Sequence, residues 1–194
     1  MEDKFLVAKT LLLCYPHLED LYDALTDSAE ECVRSGFYAI YPNEQMRLYE
    51  RIVAYEDRKV GVYNMKYLIE RCFREGASPV LALVKERFIH KTPVGEISKK
   101  YGVISRTCYR YIKRGIVAFT QKLEELGFDK KRLLTEFGNE PLFQTMLTRV
   151  IKEDDEENGA ESGATNQSKG EAQAKCPQIT HLWASCGVRI APRG

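Results

Sequence analysis

The sequence predicts an all-α helical bundle containing a helix-turn-helix, followed by a disordered acidic C-terminal tail. Three observations carry this. Apolar residues recur at three- and four-residue spacing almost without interruption to residue 151, and no stretch alternates convincingly at period two. Two helical patterns, the second with a basic face, meet at Gly102. From Lys152 to about Lys175 the chain turns to Glu, Asp, Gly, Ser, Asn and Gln, a composition with too little apolar surface to fold. At 194 residues the chain is one domain, or one with a small appendage, and can bury a core. It divides into N-terminal helices (1–76, for packing or oligomerisation), a helix-turn-helix domain (77–127), C-terminal helices (128–151) and the tail (152–194).

Each element has its own local reason. Phe5, Ala8 and Leu12 begin a stripe that resumes, after a kink at Pro16, with Leu18, Leu21, Tyr22 and Leu25. Ala29, Cys32 and Val33 continue it to Gly36, a helix C-terminus. Tyr41-Pro42-Asn43 reads as a loop, with Asn43 placed to cap a helix carrying Met46, Tyr49, Ile52 and Val53. Gly61 is expected to break that helix, and Val62, Met65, Leu68, Ile69 and Cys72 to restart it. Ser78-Pro79 supplies an N-cap followed by proline at the first helical position, ahead of Leu81, Val84, Phe88 and Ile89. Thr92-Pro93 repeats that start signal, so two short helices lie close together. The second holds Val94, Ile97 and Tyr101 and ends at Gly102. A longer helix from Ser105 to about Leu126 then buries Cys108, Ile112, Ile116, Phe119, Leu123 and Leu126. Phe128-Asp129 opens a short helix with Leu133, Leu134 and Phe137. Gly138-Asn139 ends it, and Leu142, Phe143, Met146, Leu147 and Val150 form a last one.

The pair meeting at Gly102 fits a helix-turn-helix position by position. Steeply crossing helices need a small residue at their contact, and Ser98 stands there. The turn needs a residue able to adopt positive φ, which Gly102 supplies. Ile97, Tyr101, Val103, Cys108 and Tyr111 take the interior positions, Ser98 and Cys108 being the less usual choices.

Net charge is +1, but the charges are segregated. Residues 1–75 carry 10 basic and 14 acidic residues, a net of −4, and residues 152–175 are again −4. Residues 85–122 carry 10 basic residues against only Glu86 and Glu96, a net of +8, the footprint of a polyanion-binding surface.

The segments Leu81-Ala-Leu-Val-Lys-Glu-Arg-Phe-Ile-His90, Pro93-Val-Gly-Glu-Ile-Ser-Lys-Lys-Tyr-Gly-Val103 and Ser105-Arg-Thr-Cys-Tyr-Arg-Tyr-Ile-Lys-Arg114 resemble sigma factor region 4. They are also similar to the ArpU-type transcriptional regulators of Gram-positive phages. The resemblance covers residues 79–126, about a quarter of the chain. It implies a DNA-binding transcription protein, of prophage or mobile-element origin, whose second helix enters the major groove. Ile104 departs from the family, which often has a capping serine there; Ser105 would cap instead. No promoter-melting region is recognisable upstream, so the chain does not resemble a self-sufficient sigma factor.

The residue chemistry leads to similar roles. Arg106 and Arg110 stand one turn apart near the start of the second helix, where an arginine fork can bond guanine O6 and N7 together. Ser105 and Tyr109 lie beside them as further candidates for base contact. Lys99 and Lys100 on the first helix, and Lys113 and Arg114 further along the second, are placed to neutralise phosphates. A charge run alone reads as a solvated helix face; the turn and the local charge excess favour DNA. Tyr101, Tyr109 and Tyr111 interleave the basic residues, as in single-strand binders, but Tyr101 and Tyr111 fall on interior positions and only Tyr109 is a stacking candidate. His90 reads as a cation at a helix C-terminus or a phosphate contact.

Other classes are disfavoured. No apolar stretch is long enough to span a membrane. Met1-Glu2-Asp3-Lys4 is not basic, and Leu11-Leu12-Leu13-Cys14 stops at Tyr15-Pro16, so no signal peptide is expected. The six cysteines form no CxxC pair and read as reduced intracellular thiols, which places the protein in the cytoplasm. Phosphate-loop, dinucleotide, HExxH and GxSxG signatures are missing, so neither an enzyme nor a cofactor is expected. Cys176, His181 and Cys186 lack zinc-ligand spacing, and no metal site is assigned.

The expected partner is therefore double-stranded DNA, read as a transcriptional regulator reads it. RNA polymerase or a second copy of the chain, forming a homodimer on a palindromic operator, are the protein partners that the acidic N-terminal helices would serve. In that segment an interface stripe and a core stripe look alike. The cluster Glu153-Asp154-Asp155-Glu156-Glu157 could mimic DNA by folding back on the basic helix, although a solvating tail is the simpler reading. Residues 176–194 are assigned nothing. Two rivals stand beside the regulator: an oligomeric DNA-packaging protein like a phage terminase small subunit, and a protein-interaction module with no DNA role.

Overall fold

The computed structural model describes residues 3–38, 41–76 and 78–161, and no strand occurs among them. Helix α1 (Asp3–Cys14) passes through a single 3₁₀ turn at Tyr15–His17 into α2 (Leu18–Gly36). The turn sits where the missing amide of Pro16 cannot serve an α-helical ladder. Helix α3 (Pro42–Glu75) returns antiparallel to α2: Lys66 reaches Glu19 at 3.6 Å near one end, and Leu48 lies over Gly36 at the other. Helix α4 (Pro79–Val84) runs on into one wide π-helical turn, Lys85–Ile89. Then come α5 (Val94–Lys100), α6 (Ser105–Glu125), α7 (Lys130–Phe137) and α8 (Pro141–Glu161).

One contiguous apolar core joins these elements, from Val7 on α1 to Met146 on α8. Helix α1 is embedded in it: Val7, Ala8, Leu11, Leu12 and Cys14 are all buried, between α8 on one side and α6 on another. Phe119 of α6 lies under Phe73 of α3, with ring centroids 5.4 Å apart. Burying each such large side chain contributes about 1.5–3 kcal/mol, which is why α6 holds its place from Cys108 to Leu123. The buried hydroxyls of Thr10 and Thr120 donate to the carbonyls of Leu6 and Ile116, four residues back. Arg58 forks onto Glu140 at 2.8 and 3.2 Å in a half-buried pair that ties α3 to the turn before α8.

Several local expectations are corrected. Asn43 does not cap α3; Tyr41 has the extended cap conformation, Pro42 is the first helical residue, and Asn43 lies inside the first turn. Gly61 does not break α3, which is continuous for 34 residues. A glycine costs a helix only about 1 kcal/mol relative to alanine, and packing against α2 outweighs that. Thr92 is not a cap either: Pro93 holds the cap position of α5, and the Thr92 hydroxyl donates to Glu86 at 3.3 Å. Helix α8 continues to Glu161, so residues 152–161 are helical rather than part of a disordered tail. The acidic cluster therefore begins on a helix, where Glu153 accepts from Lys9 of α1 at 3.1 Å and from Arg149 at 2.9 Å rather than from the basic face of the second helix of the pair at Gly102. Residues 162–194, with Cys176, His181 and Cys186, lie outside the described residues.

The N-terminal stripes separate into two kinds. Val62, Met65, Leu68, Ile69 and Cys72 are buried as core, whereas Met46, Tyr49 and Val53, on the same helix, are exposed.

Candidate nucleic-acid interface

Helices α5 and α6 are joined by a four-residue turn, 101–104, whose hydrogen bonds define its shape. The amide of Val103 donates to the Ser98 carbonyl at 3.0 Å and that of Gly102 to the Lys99 carbonyl at 3.3 Å. Two such bonds close a helix end only when the residue between turns left-handed, and Gly102 has φ +64. Ile97 and Cys108 are fully buried on either side of this turn. Ser98 is also buried, and its hydroxyl is turned back onto the Gly95 carbonyl at 2.8 Å. The small side chain thus brings no unsatisfied polar atom into the contact between helices.

Helix α6 opens without a side-chain cap. Ile104 takes the cap position (φ −69, ψ 148) and Ser105 is the first helical residue, which corrects the expectation that Ser105 caps. The Ile104 side chain offers no acceptor, although its carbonyl accepts from the amides of Thr107 at 2.9 Å and Cys108 at 3.0 Å.

From that end the basic side chains emerge in order. Ser105, Arg106, Tyr109, Arg110 and Lys113 follow one another at helical spacing and all are exposed, with Arg114 beside them. Cys108, Ile112, Ile116, Phe119 and Leu123 are buried on the other side. Arg106, Arg110 and Arg114 enter no ion pair among the described residues, and the only acidic residues of α6, Glu124 and Glu125, lie at its far end. The basic exposed face thus spans residues 105–114, a length of about 15 Å of helix.

Lys99 and Lys100 are exposed at the end of α5, across the turn. Lys100 is engaged: it binds Glu86 and sits over the Tyr101 ring at 5.8 Å. That hydrogen bond holds Glu86 below the usual carboxylate range and raises Lys100. Tyr101 is 41% exposed and not interior, a second correction, because the helix ends there and its ring swings out under the lysine. Tyr111 is half-buried against the core as expected, and Tyr109 is exposed.

Two features of this region escaped the sequence reading. Gly115 faces α4 so closely that a Cβ there would lie 2.6 Å from the Val80 carbonyl oxygen and 2.4 Å from the Val84 methyl. A glycine in the middle of a strong helical pattern was the available signal. Glu86 carried no signal, since nothing in spacing brings it to Lys100, fourteen residues on.

The thiols of Cys108 and, on α3, Cys72 are buried. Burial raises Cys108 above its ordinary value and pushes Cys72 up to about 12. Among the described residues no group of His, Cys, Asp or Glu is placed to hold a metal ion, and no helix is long and apolar enough to cross a membrane. Comparison with known proteins finds no matching family model, no matching curated protein and no matching solved structure.

Proposed function

We propose that this chain is a sequence-specific, double-stranded DNA-binding transcriptional regulator that lays the start of α6 in the major groove, in the manner of sigma factor region 4. The observation that carries the reading is the exposed face of α6 from Ser105 to Arg114, basic, without an acidic residue, and backed by a buried stripe. Its roughly 15 Å of free helix suits a groove about 12 Å wide. Arg106 and Arg110 supply the base contacts, each good fork contributing about 1–3 kcal/mol of discrimination, with Ser105 and Tyr109 beside them. Lys99, Lys113 and Arg114 anchor phosphates, and Lys100 joins them by exchanging Glu86 for a phosphate oxygen. The protein acts in the cytoplasm, without catalysis or cofactor, and the acidic N-terminal helices are the surface left for RNA polymerase or another copy.

The test is selection from a pool of random duplexes, comparing the full chain with Arg106→Ala/Arg110→Ala. A motif enriched by the wild type and lost by the double variant is the expected result. Lys99→Ala should leave the motif intact and lower the salt slope of binding by about one. Salt-sensitive binding without a motif would replace the regulator by a packaging protein, and no binding at low salt would leave only an interaction module.

A further inference from the structure

Helix α3 carries two apolar faces, and only one of them is used. Its inner face packs on α2 and the core. On its outer face Met46, Tyr49, Val53, Val60, Tyr63 and Tyr67 are each 41% to 64% exposed. Their steps are 3, 4, 7, 3 and 4 residues, so every apolar member falls on one 3.5-residue seam. The single interruption is at Glu56, which is turned to Lys59 at 3.0 Å. A strict 3.5 period over some 32 Å of helix is the pattern that a second helix fits, knobs into holes.

From this seam we infer that the α2–α3 hairpin is a self-association surface, and that its partner is the same hairpin of a second copy. The area agrees. Three half-exposed tyrosines, two valines and a methionine offer roughly 600 Å² per copy, and a specific interface needs about 600–1,000 Å² from each partner. The surface also widens where the hairpin needs it: Tyr22 of α2 lines one groove with Tyr63 and Tyr67. Val33, three helical turns along from Tyr22 and 48% exposed, extends the same side of α2. Among the described residues no other helix presents an exposed apolar run of this length, and Tyr22 and Val33 lie on the same hairpin, so the complement to the seam is the seam of a second copy. The inference rests on the α2–α3 hairpin and does not depend on DNA binding.

The test is the mass of the full chain in solution by sedimentation equilibrium between about 1 and 100 µM, the range where an interface of this size is populated. The expected result is a dimer, twice the 22.3 kDa of the chain, dissociating on dilution. Val53→Glu/Tyr63→Glu should weaken it at least tenfold while leaving helix content and the dilute-solution unfolding midpoint unchanged, because both side chains face solvent in the monomer. Met46→Lys/Tyr67→Lys, at the two ends of the seam, should do the same and serves if the first pair disturbs folding. Ile104→Lys, at a still more exposed apolar residue off the hairpin, should leave the dimer intact. A chain that stays at 22.3 kDa throughout, a dimer that survives both seam variants, or an assembly larger than a dimer would each overturn the inference.

Discussion

Glycine 115 and glycine 61 give one substitution with two opposite outcomes. Both lie inside α-helices, so Gly→Ala gains about 0.5–1 kcal/mol of helix propensity at either position. At Gly61 a Cβ would meet nothing within 4 Å, and that gain is the whole effect. At Gly115 the new methyl falls 2.6 Å from the Val80 carbonyl oxygen and 2.4 Å from a Val84 methyl. The valine cannot rotate away, since it is fully buried, and the carbonyl belongs to the backbone of α4. Helices α4 and α6 must therefore separate, an overpacking penalty of about 1–3 kcal/mol that, set against the propensity gain, leaves Gly115→Ala up to about 2.5 kcal/mol less stable, with a centre near 1. The measurement is the urea midpoint of each variant at constant m value, which isolates stability from changes in the unfolded chain. Gly61→Ala should move the midpoint up and Gly115→Ala down, with Gly115→Leu lower still. Shifts of the same sign and size at both positions would refute the close approach of α4 to α6, and with it the way α6 is seated.

Two further outcomes follow from the ends of the helices. Ile104 already has cap dihedrals and is 71% exposed, so Ile104→Ser should add a cap to α6 and stabilise by about 1 kcal/mol in chemical unfolding. Ser105→Ala, one residue inside, should change stability far less; a large loss there would place the cap at Ser105 after all. His17 is held below its ordinary value first by burial and then by the Lys91 charge, with Asp20 opposing and Arg149 assisting. The unfolded chain therefore takes up its proton first. Stability should be full above about pH 6.5 and fall as pH drops through the window below it, with His17→Gln flattening that slope. Glu75, Glu86 and Glu153 are held below 4.5, so their contributions are lost only in stronger acid and do not overlap that window. Equal slopes for wild type and His17→Gln between pH 5 and 7 would exclude His17 as the source.

What the sequence determined by itself is periodicity and local chemistry. The 3- and 4-residue stripes imposed helices, proline fixed the turn at Tyr15–His17, and Gly102 marked the tight turn because few other residues adopt positive φ cheaply. The buried stripe of α6 and its exposed basic face were legible for the same reason, since one helix carries both and their separation is a matter of angle. Other features depend on what lies across space. Asn43, Thr92 and Ser105 have the chemistry of caps, yet the chain turns one or two residues earlier or later, and side-chain preference cannot decide that between near neighbours. Gly61 reads as a break only when α2 is not there to hold the helix straight. Glu86 with Lys100, Arg58 with Glu140 and Lys9 with Glu153 join residues far apart in the chain, so no spacing announces them. Met46 and Met65 show the division most plainly: both sit on apolar stripes of α3, but one meets water and the other the core. A stripe states only that a helix has an apolar face; which neighbour covers that face is a property of tertiary packing.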